Sequence, residues 1–368
     1  MKRVFVGVVL AVLALAAPYL ARAQNNAGAA AAQSGNLTIY WIDVEGGAAT
    51  LFVSPSGESM LYDTGYAVGD RDAKRIYATA QKAGLKQIDH VVISHWHADH
   101  EGGLAALSKM IPLGRFYDHG DGVEPADRVR LEDYKAIAGA KRNIVKPGDT
   151  IPLSGVQVQV VSSEGPVITR PINGGGPNGL CANAAQMGPA GPENQRMVGF
   201  LLTYGNFKLL SLADLDWQKE MELSCPVNKV GTVTVYTVSR HGGLDDSGAP
   251  AFLGAIKPQV VIVNNGPRKG LGQTDDRAKP LAIPGRQTAP YERNSYLRLA
   301  GNPGIEGIWQ EHLSMLDRDP SHNTAPDMIA NLEEAGDQGY GISASVGGNG
   351  TFTVTNGRNG FSKSYVAR

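Results

Sequence analysis

A dense group of histidine and acidic side chains constrains this chain more than any other part of its sequence. Within six residues stand His95, His97, Asp99 and His100. The apolar run 88–93 before them predicts a strand, and the stretch 104–110 after them predicts a helix. The group therefore occupies a strand-to-helix loop, where side chains are exposed at a sheet edge. Neutral imidazole and carboxylate suit zinc and other first-row ions, so this density predicts a metal site rather than a solvated histidine-rich loop.

The hydrophobic pattern of the remaining chain predicts a layered α/β architecture. Short β-forming runs at 37–44, 49–53 and 60–62 predict a meander of strands. Helical spacing then alternates with further strand-like runs, which favours mixed sheets covered by helices. Two irregular stretches, about 165–192 and 267–290, are predicted to be loop insertions.

The first residues have the pattern of a secretory signal. Lys2 and Arg3 precede an apolar run from residue 4 to about 20, and Ala21-Arg22-Ala23 offers small residues at the spacing that a signal peptidase recognises. We therefore expect a signal peptide at 1–23, cut after Ala23, and a flexible leader at 24–35. The alternative is an uncleaved membrane anchor. Since no second long apolar run follows, the sequence predicts a periplasmic or secreted protein with no membrane span after signal removal.

Charge and cysteine content give weaker constraints. The 368 residues have a formal net charge of −1, so there is no global positive field to hold a stable nucleic-acid partner. A small-molecule or phosphodiester substrate is compatible with this balance. Cys181 and Cys225 are the two cysteines. In an oxidising compartment they could pair, remain two separate thiols or, with less support, contribute a metal ligand.

The pattern His-X-His-X-Asp-His followed by Gly-Gly resembles the signature of the metallo-β-lactamase superfamily. Asp63 matches an early aspartate that supports the metal loop from outside the ligand set. Asp214 matches the aspartate that bridges two metals, and His241 matches the last histidine ligand. The resemblance implies an α/β (α+β) fold, a four-layered αββα sandwich with two mixed β-sheets between helices. It implies a single domain at 36–368 with both loop insertions and a C-terminal extension.

A narrower resemblance concerns the hydrolase domain of bacterial DNA-uptake competence proteins (ComEC type). The segment 43–51, with sequence DVEGGAATL, is similar to the DVGQGDA-type opening of that domain. The segment Arg240-His241-Gly242-Gly243 is similar to its HHG segment, with Arg240 in place of the first histidine. Because the chain has no channel helices, it looks like that hydrolase domain standing alone.

The resemblance divides the ligands between two metal positions that share one aspartate. The complete set is Asp99, His100, Asp214 and His241. The other set is His95, His97 and Asp214. That set is one ligand short, because most of the superfamily has a further histidine where this chain has Glu193-Asn194-Gln195-Arg196. Asn194 is the candidate equivalent, although Asn is a poorer zinc ligand than imidazole. We expect one or two Zn²⁺ per chain, with other divalent transition metals as alternatives.

These ligands imply a metal-dependent hydrolase that uses a metal-bound hydroxide. Together with the signal sequence, they predict an exported enzyme. Asp99 is predicted to be catalytic as well as a ligand, because it can orient or deprotonate the water. Phosphodiester or related substrates are favoured by the competence-type resemblance. An amide or ester hydrolase of β-lactamase or lactonase type is one alternative, and a non-catalytic binding protein with a weakened metal centre is another. Arg240 could bind an anionic substrate group or form a surface salt bridge, and His119 could contact substrate or be structural.

Overall fold

The structure is a computed structural model that describes residues 35–243, 247–272, 294–317, 319–334 and 338–368. The predicted signal peptide and all but the last residue of the predicted leader lie outside these ranges, as does most of the second predicted insertion. Within the described ranges, no helix is long and apolar enough to cross a bilayer.

The described residues contain two sheets, and the strands are numbered in chain order. They are β1 Leu37–Trp41, β2 Thr50–Val53, β3 Ser59–Tyr62, β4 Ile88–Val92, β5 Leu113–Asp118, β6 Arg142–Ile144, β7 Thr150–Leu153, β8 Val156–Ser162, β9 Gly199–Tyr204, β10 Phe207–Ser211, β11 Val235–Thr237, β12 Val260–Val263, β13 Gly307–His312, β14 Ile329–Asn331, β15 Ile342–Val346, β16 Thr351–Asn356 and β17 Ser362–Val366.

Both sheets are mixed. The first has the order β17-β16-β15-β1-β2-β3-β4-β5-β6, antiparallel from β17 to β3 and parallel from β3 to β6. The second has the order β14-β13-β12-β11-β10-β9-β8-β7, parallel from β14 to β10 and antiparallel onward. Parallel strand pairs are joined by crossover connections. The loops that begin these connections therefore lie together at the carboxyl ends of the parallel strands.

Helices cover the outer face of each sheet. They are α1 Arg71–Lys82, α2 Ala98–Glu101, α3 Leu104–Leu107, α4 Asp127–Ala138, α5 Trp217–Ser224, α6 Pro250–Ile256 and α7 Ser295–Ala300. The first of them shows why: Ala73, Ile76 and Ala80 form an apolar stripe at helical spacing, and all three are fully buried against the first sheet. Helices α5 and α6 bury their apolar residues in the same way against the second sheet.

A third apolar cluster fills the space between the sheets. Phe52 and Tyr62 of the first sheet meet Phe200 of the second edge to face, with ring centroids 5.8 and 4.9 Å apart. The indole N–H of Trp41 donates across the same interface to Thr237 Oγ1 at 3.0 Å. One apolar layer lies between the two sheets, and one lies between each sheet and its helices. This arrangement is a four-layered αββα sandwich, which confirms the predicted fold.

Two expectations are sharpened by the structure. The C-terminal strands are not an appendage, because β15 pairs with β1 along five residues and completes the first sheet. Cys181 and Cys225 form a disulfide, with Cα atoms 5.7 Å apart, which joins the first insertion to the end of α5. Of the three states considered for these cysteines, the structure has the paired one.

Candidate metal centre

The cluster lies where the sequence places it, between β4 and α2. His97 is the residue before α2, and Asp99 and His100 lie in its first turn. The loop is held from both sheets, since Val198 N–H donates to the carbonyl of Ser94 and Thr64 N–H donates to the carbonyl of His100. These bonds fix the backbone from which the imidazoles project.

Asp63 anchors the cluster from below. It is fully buried, and its carboxylate accepts hydrogen bonds from Ser94 N–H at 2.7 Å and from Ser94 Oγ at 2.8 Å. Its Oδ2 also lies 2.7 Å from His100 Nδ1. A proton on Nδ1 leaves the lone pair on Nε2, so the carboxylate orients His100 as a ligand. This geometry is what the predicted supporting role of Asp63 requires, and the role itself stays a prediction.

Four predicted ligands converge at one point. Asp99, His100, Asp214 and His241 each offer one ligand atom, and these atoms all lie within 4.8 Å of one another. His100 Nε2 is 3.3 Å and His241 Nε2 is 3.2 Å from Asp214 Oδ1. All three of these atoms are buried and lack a hydrogen-bond partner of proper geometry among the described residues. Since buried polar atoms seldom remain unsatisfied, this donor set fits a divalent cation.

A second group adjoins the first and shares Asp214. It consists of His95, His97 and Asp214, again within 4.8 Å. His95 Nε2 lies 2.9 Å from His97 Nδ1, and Ser94 Oγ lies 2.9 Å from His95 Nδ1. The set has no third imidazole among the described residues. Asn194 is buried in the short turn 194–196, and its Oδ1 has no hydrogen-bond partner among the described residues.

His241 projects from a turn whose backbone is strained. Arg240 and His241 both have φ of 55°, in the left-handed region that a non-glycine residue occupies at an energetic cost. Arg240 N–H donates to the carbonyl of Ala213, which ties this turn to the loop carrying Asp214. Arg240 also pairs with Asp214 itself, Nη1 to Oδ2 at 3.3 Å. Arg240 therefore forms an ion pair at the centre rather than a salt bridge at the surface, and its contact with an anionic substrate group stays a prediction.

A buried polar network supports the same turn from behind. The Tyr236 hydroxyl lies 2.6 Å from Ser239 Oγ and 3.1 Å from Glu220 Oε1. Glu220 Oε2 accepts a hydrogen bond from Ala249 N–H at 2.9 Å. Burial raises the pKa of Glu220 to about 7 in spite of these hydrogen bonds.

The charges of the centre are strongly coupled. Burial alone would raise the pKa of Asp214, yet the neighbouring His241 and His100 hold it well below its usual range. Burial would likewise raise the pKa of Asp99, which His100 and the nearby Lys269 lower. Burial lowers the pKa of His95, so this imidazole is neutral, as a metal ligand must be.

Several supporting residues were not found by sequence reasoning. The ammonium of Lys269 contacts Asp99 Oδ2 and donates to the Tyr66 hydroxyl at 2.9 Å. Glu193 accepts from Trp96 N–H at 3.1 Å, between the two histidines of the weaker set, and lies 2.8 Å from His119 Nε2. His119 is fully buried, so the structure gives it the structural role. No local motif marks Lys269, Tyr66 or Glu193, because their contacts join distant parts of the chain.

The segment that opens the domain is also tied to the centre. His312, at the end of β13, places Nε2 2.7 Å from Asp43 Oδ1, and both side chains are fully buried. Five residues later, Ala48 N–H donates to the carbonyl of Asp99 at 3.0 Å. His312 thus lies beneath the 43–51 motif.

Parts of this chain are similar in sequence to known proteins. Residues 42–179 match the family model of the metallo-beta-lactamase superfamily. The atrochrysone carboxyl ACP thioesterase of Aspergillus fumigatus is 28% identical over 119 residues, 32% of this chain and 24% of that protein. A UPF0173 metal-dependent hydrolase of Herpetosiphon aurantiacus is 31% identical over 75 residues, 20% of this chain and 28% of that protein. The chain spans about a quarter of the length of these relatives.

The metallo-beta-lactamase fold protein YhfI from Bacillus subtilis superimposes with a TM-score of 0.42 and 12% identity, over 74% of this chain and 96% of that chain. The segment matched by the family model contains Asp63 and the 95–100 cluster, whereas Asp214 and His241 lie beyond it.

Proposed function

We propose that this chain, which has the metallo-β-lactamase fold, is a zinc-dependent hydrolase. The observation that carries the proposal is the convergence of four ligand atoms within 4.8 Å at the carboxyl ends of strands from both sheets. Their buried nitrogen and carboxylate oxygen atoms match the donors that zinc prefers. This firm position is formed by Asp99, His100, Asp214 and His241. Occupancy of the second position, at His95 and His97, depends on what Asn194 contributes.

A zinc ion at this centre would supply Lewis-acid activation of water and of the attacked oxygen. The chain's own residues provide the remaining functions. Asp99 presents a carboxylate that can accept a proton or a hydrogen bond from the attacking water. Asp63 and Ser94 keep the imidazole of His100 aligned. Burial of Asp214 and His241 excludes bulk water and strengthens every electrostatic interaction in the site.

Phosphodiesters or related substrates are the class that we favour. Support comes from the similarity to the competence-type hydrolase domain and from two cationic side chains, Lys269 and Arg240, that adjoin the central carboxylates. Guanidinium and ammonium groups suit phosphoryl oxygens. An acyl hydrolase is the second candidate, because one relative is a thioesterase. The non-catalytic alternative is favoured only by the incomplete second set of ligands.

We also propose that the protein is exported. The proposal rests on the positively charged start, the apolar run and the small residues up to Ala23. The disulfide between Cys181 and Cys225 is compatible with an oxidising compartment. Sequencing the N-terminus of the protein recovered from the cell envelope or medium tests export, with Gln24 as the expected first residue.

Parallel assays test the reaction class. Zinc-loaded protein is given a phosphodiester, a β-lactam, a lactone and a thioester, with His241→Ala, which lacks a ligand of the firm position, as the control. We expect phosphodiester turnover that falls at least about a hundredfold in the variant. Turnover of a carbonyl substrate alone would support the acyl hydrolase. Turnover of none by a zinc-loaded protein would contradict hydrolysis.

A further inference from the structure

We propose that Lys269 and Tyr66 form a binding site for a negatively charged substrate group beside the metal centre. The inference rests on the proposed hydrolase function and names a substrate class for it, an anion with a phosphate or carboxylate oxygen near the scissile bond. The two side chains line a surface cleft of about 300 Å³, and Lys269 connects this cleft to Asp99 by an ion pair.

The cationic side chain is held on a rigid turn. Gly266 N–H donates to the carbonyl of Lys269 at 3.0 Å, and the two residues form an isolated bridge. The turn packs closely against Gly46. A Cβ atom on residue 46 would lie 2.8 Å from Gly266 N and 3.2 Å from Lys269 Cβ. Two residues on, Leu271 N–H donates to the carbonyl of His241 at 2.9 Å. The turn therefore places Lys269 at a fixed distance from the centre.

The ammonium lies between the centre and the cleft. It contacts Asp99 Oδ2 on one side and donates to the Tyr66 hydroxyl at 2.9 Å on the other. It also lies 5.3 Å from the centroid of the Tyr66 ring. The Lys269 side chain is 38% exposed, whereas Asp99 is 14% exposed. An ammonium has three donors, so an anion in the cleft can share it with Asp99.

Charge balance at the centre favours an anionic ligand. Asp99 and Asp214 each have a cationic partner, Lys269 and Arg240 respectively. The imidazoles are neutral when they ligate a metal. The charges of these two carboxylates and their cationic partners cancel, so these four side chains would not offset the charge of a divalent cation. A substrate anion at Lys269 offsets that excess, and its charge-assisted hydrogen bonds are stronger than those of a neutral ligand.

Neighbouring cations in the cleft are already engaged. The Arg71 guanidinium pairs with Glu45 and with Asp72. Arg268, next to Lys269 in the same turn, pairs with Glu334. Lys269 differs from both because its own partner, Asp99, is a predicted metal ligand. We therefore assign anion recognition beside the centre to Lys269, and Arg268, whose partner is Glu334, serves as a control of the same charge.

A pair of substrates that differ by one charge tests the proposal. Ethyl p-nitrophenyl phosphate is a monoanion, and diethyl p-nitrophenyl phosphate is its neutral triester with the same leaving group. For Lys269→Met we expect the diester-to-triester ratio of kcat/KM to fall by roughly ten- to a hundredfold, the size of one charge-assisted hydrogen bond. Lys269→Arg should lose less of the ratio than Lys269→Met because the charge remains. Arg268→Met should change the ratio by less than about threefold, since the Arg268 pair is exposed.

A binding measurement keeps the test independent of turnover. Isothermal titration of phenyl phosphate into zinc-loaded protein should show a Kd that rises roughly ten- to a hundredfold in Lys269→Met and not in Arg268→Met. If the wild type hydrolyses neither ester, the proposed function fails while this result still decides the anion site. Equal losses for both esters, an unchanged Kd, or loss of zinc from Lys269→Met would overturn the proposal. Zinc loss would show that the lysine serves Asp99 alone.

Discussion

Replacing Asp63 by Asn is expected to weaken zinc binding without disturbing the fold. The residue has φ of 63°, and Asn tolerates this left-handed conformation as Asp does. The amide oxygen can keep the hydrogen bond from Ser94 N–H. The amide NH₂ group, however, replaces Oδ2, which lies 2.7 Å from His100 Nδ1. A donor then faces a donor, so the imidazole must lose that contact or move its proton to Nε2, the atom that would bind the metal.

The expected size follows from the loss of this contact. Removing a partner that orients a metal-ligating histidine typically reduces affinity by about 10- to 100-fold, equal to about 1.4–2.7 kcal/mol. Competition between the protein and a chromophoric chelator measures the zinc dissociation constant directly. Thermal unfolding of the metal-free protein reports separately on the fold.

Asp89 supplies a matched control. Its carboxylate accepts hydrogen bonds from Ser59 N–H at 2.9 Å and Ser59 Oγ at 2.8 Å, the same pairing with a serine that Asp63 makes with Ser94. In the described part of the chain, the Asp89 carboxylate makes no hydrogen bond or ion pair with an imidazole. Asp89→Asn should therefore leave zinc affinity unchanged. Equal zinc affinity in the wild type and Asp63→Asn would refute the proposed role of Asp63, as would an equal loss in both variants.

The remaining predictions concern pH, the disulfide and one glycine. Glu220 has a folded pKa of about 7 against about 4.5 unfolded, so its contribution to stability is full below pH 4.5 and is lost as pH rises through 7. Urea unfolding should therefore show stability falling over that range, and Glu220→Gln should flatten the fall. Replacing Cys181 and Cys225 by Ser opens a sequence separation of 44 residues and should lower the unfolding free energy by about 4 kcal/mol in the same assay. Gly103→Ala should abolish zinc binding, because the added Cβ would collide with the backbone oxygen of Thr64. The Cβ of Gly176→Ala would meet open space, so that variant should bind zinc as the wild type does.

Each of these has a result that would contradict it. A pH-independent unfolding free energy between pH 4.5 and 7 would show that Glu220 stays ionised. A double serine variant as stable as the wild type would mean that the first insertion is ordered without its crosslink. Zinc binding retained in Gly103→Ala would mean that the α3 start can move without moving His100.

Local patterns in the sequence predicted those parts of the site that are contiguous. The apolar run before His95 and the glycine pair after His100 placed the ligands on a strand-to-helix loop, and the structure has β4 and α2 there. Asp214 and His241 required the resemblance, because each stands alone at the end of its own strand. The structure brings them to the cluster since β10 and β11 are parallel neighbours whose carboxyl ends meet at one edge.

Contacts made by isolated residues could not be predicted in the same way. Lys269 lies in a stretch predicted only as irregular, and its pairing with Asp99 spans 170 residues of sequence. His119 and Glu193 likewise meet only through the packing of two loops. Such pairs have no periodicity and no fixed spacing, so only the three-dimensional arrangement reveals them.

The most direct test of the account is the zinc stoichiometry of two single variants beside the wild type. We propose that the set containing His241 is the firm metal position and that the set containing His95 is the weaker one. Plasma mass spectrometry of dialysed protein should find at least one zinc per chain in the wild type and one in His95→Ala, but none retained in His241→Ala. Zinc retained by His241→Ala and lost from His95→Ala, or no zinc bound by the wild type, would contradict it.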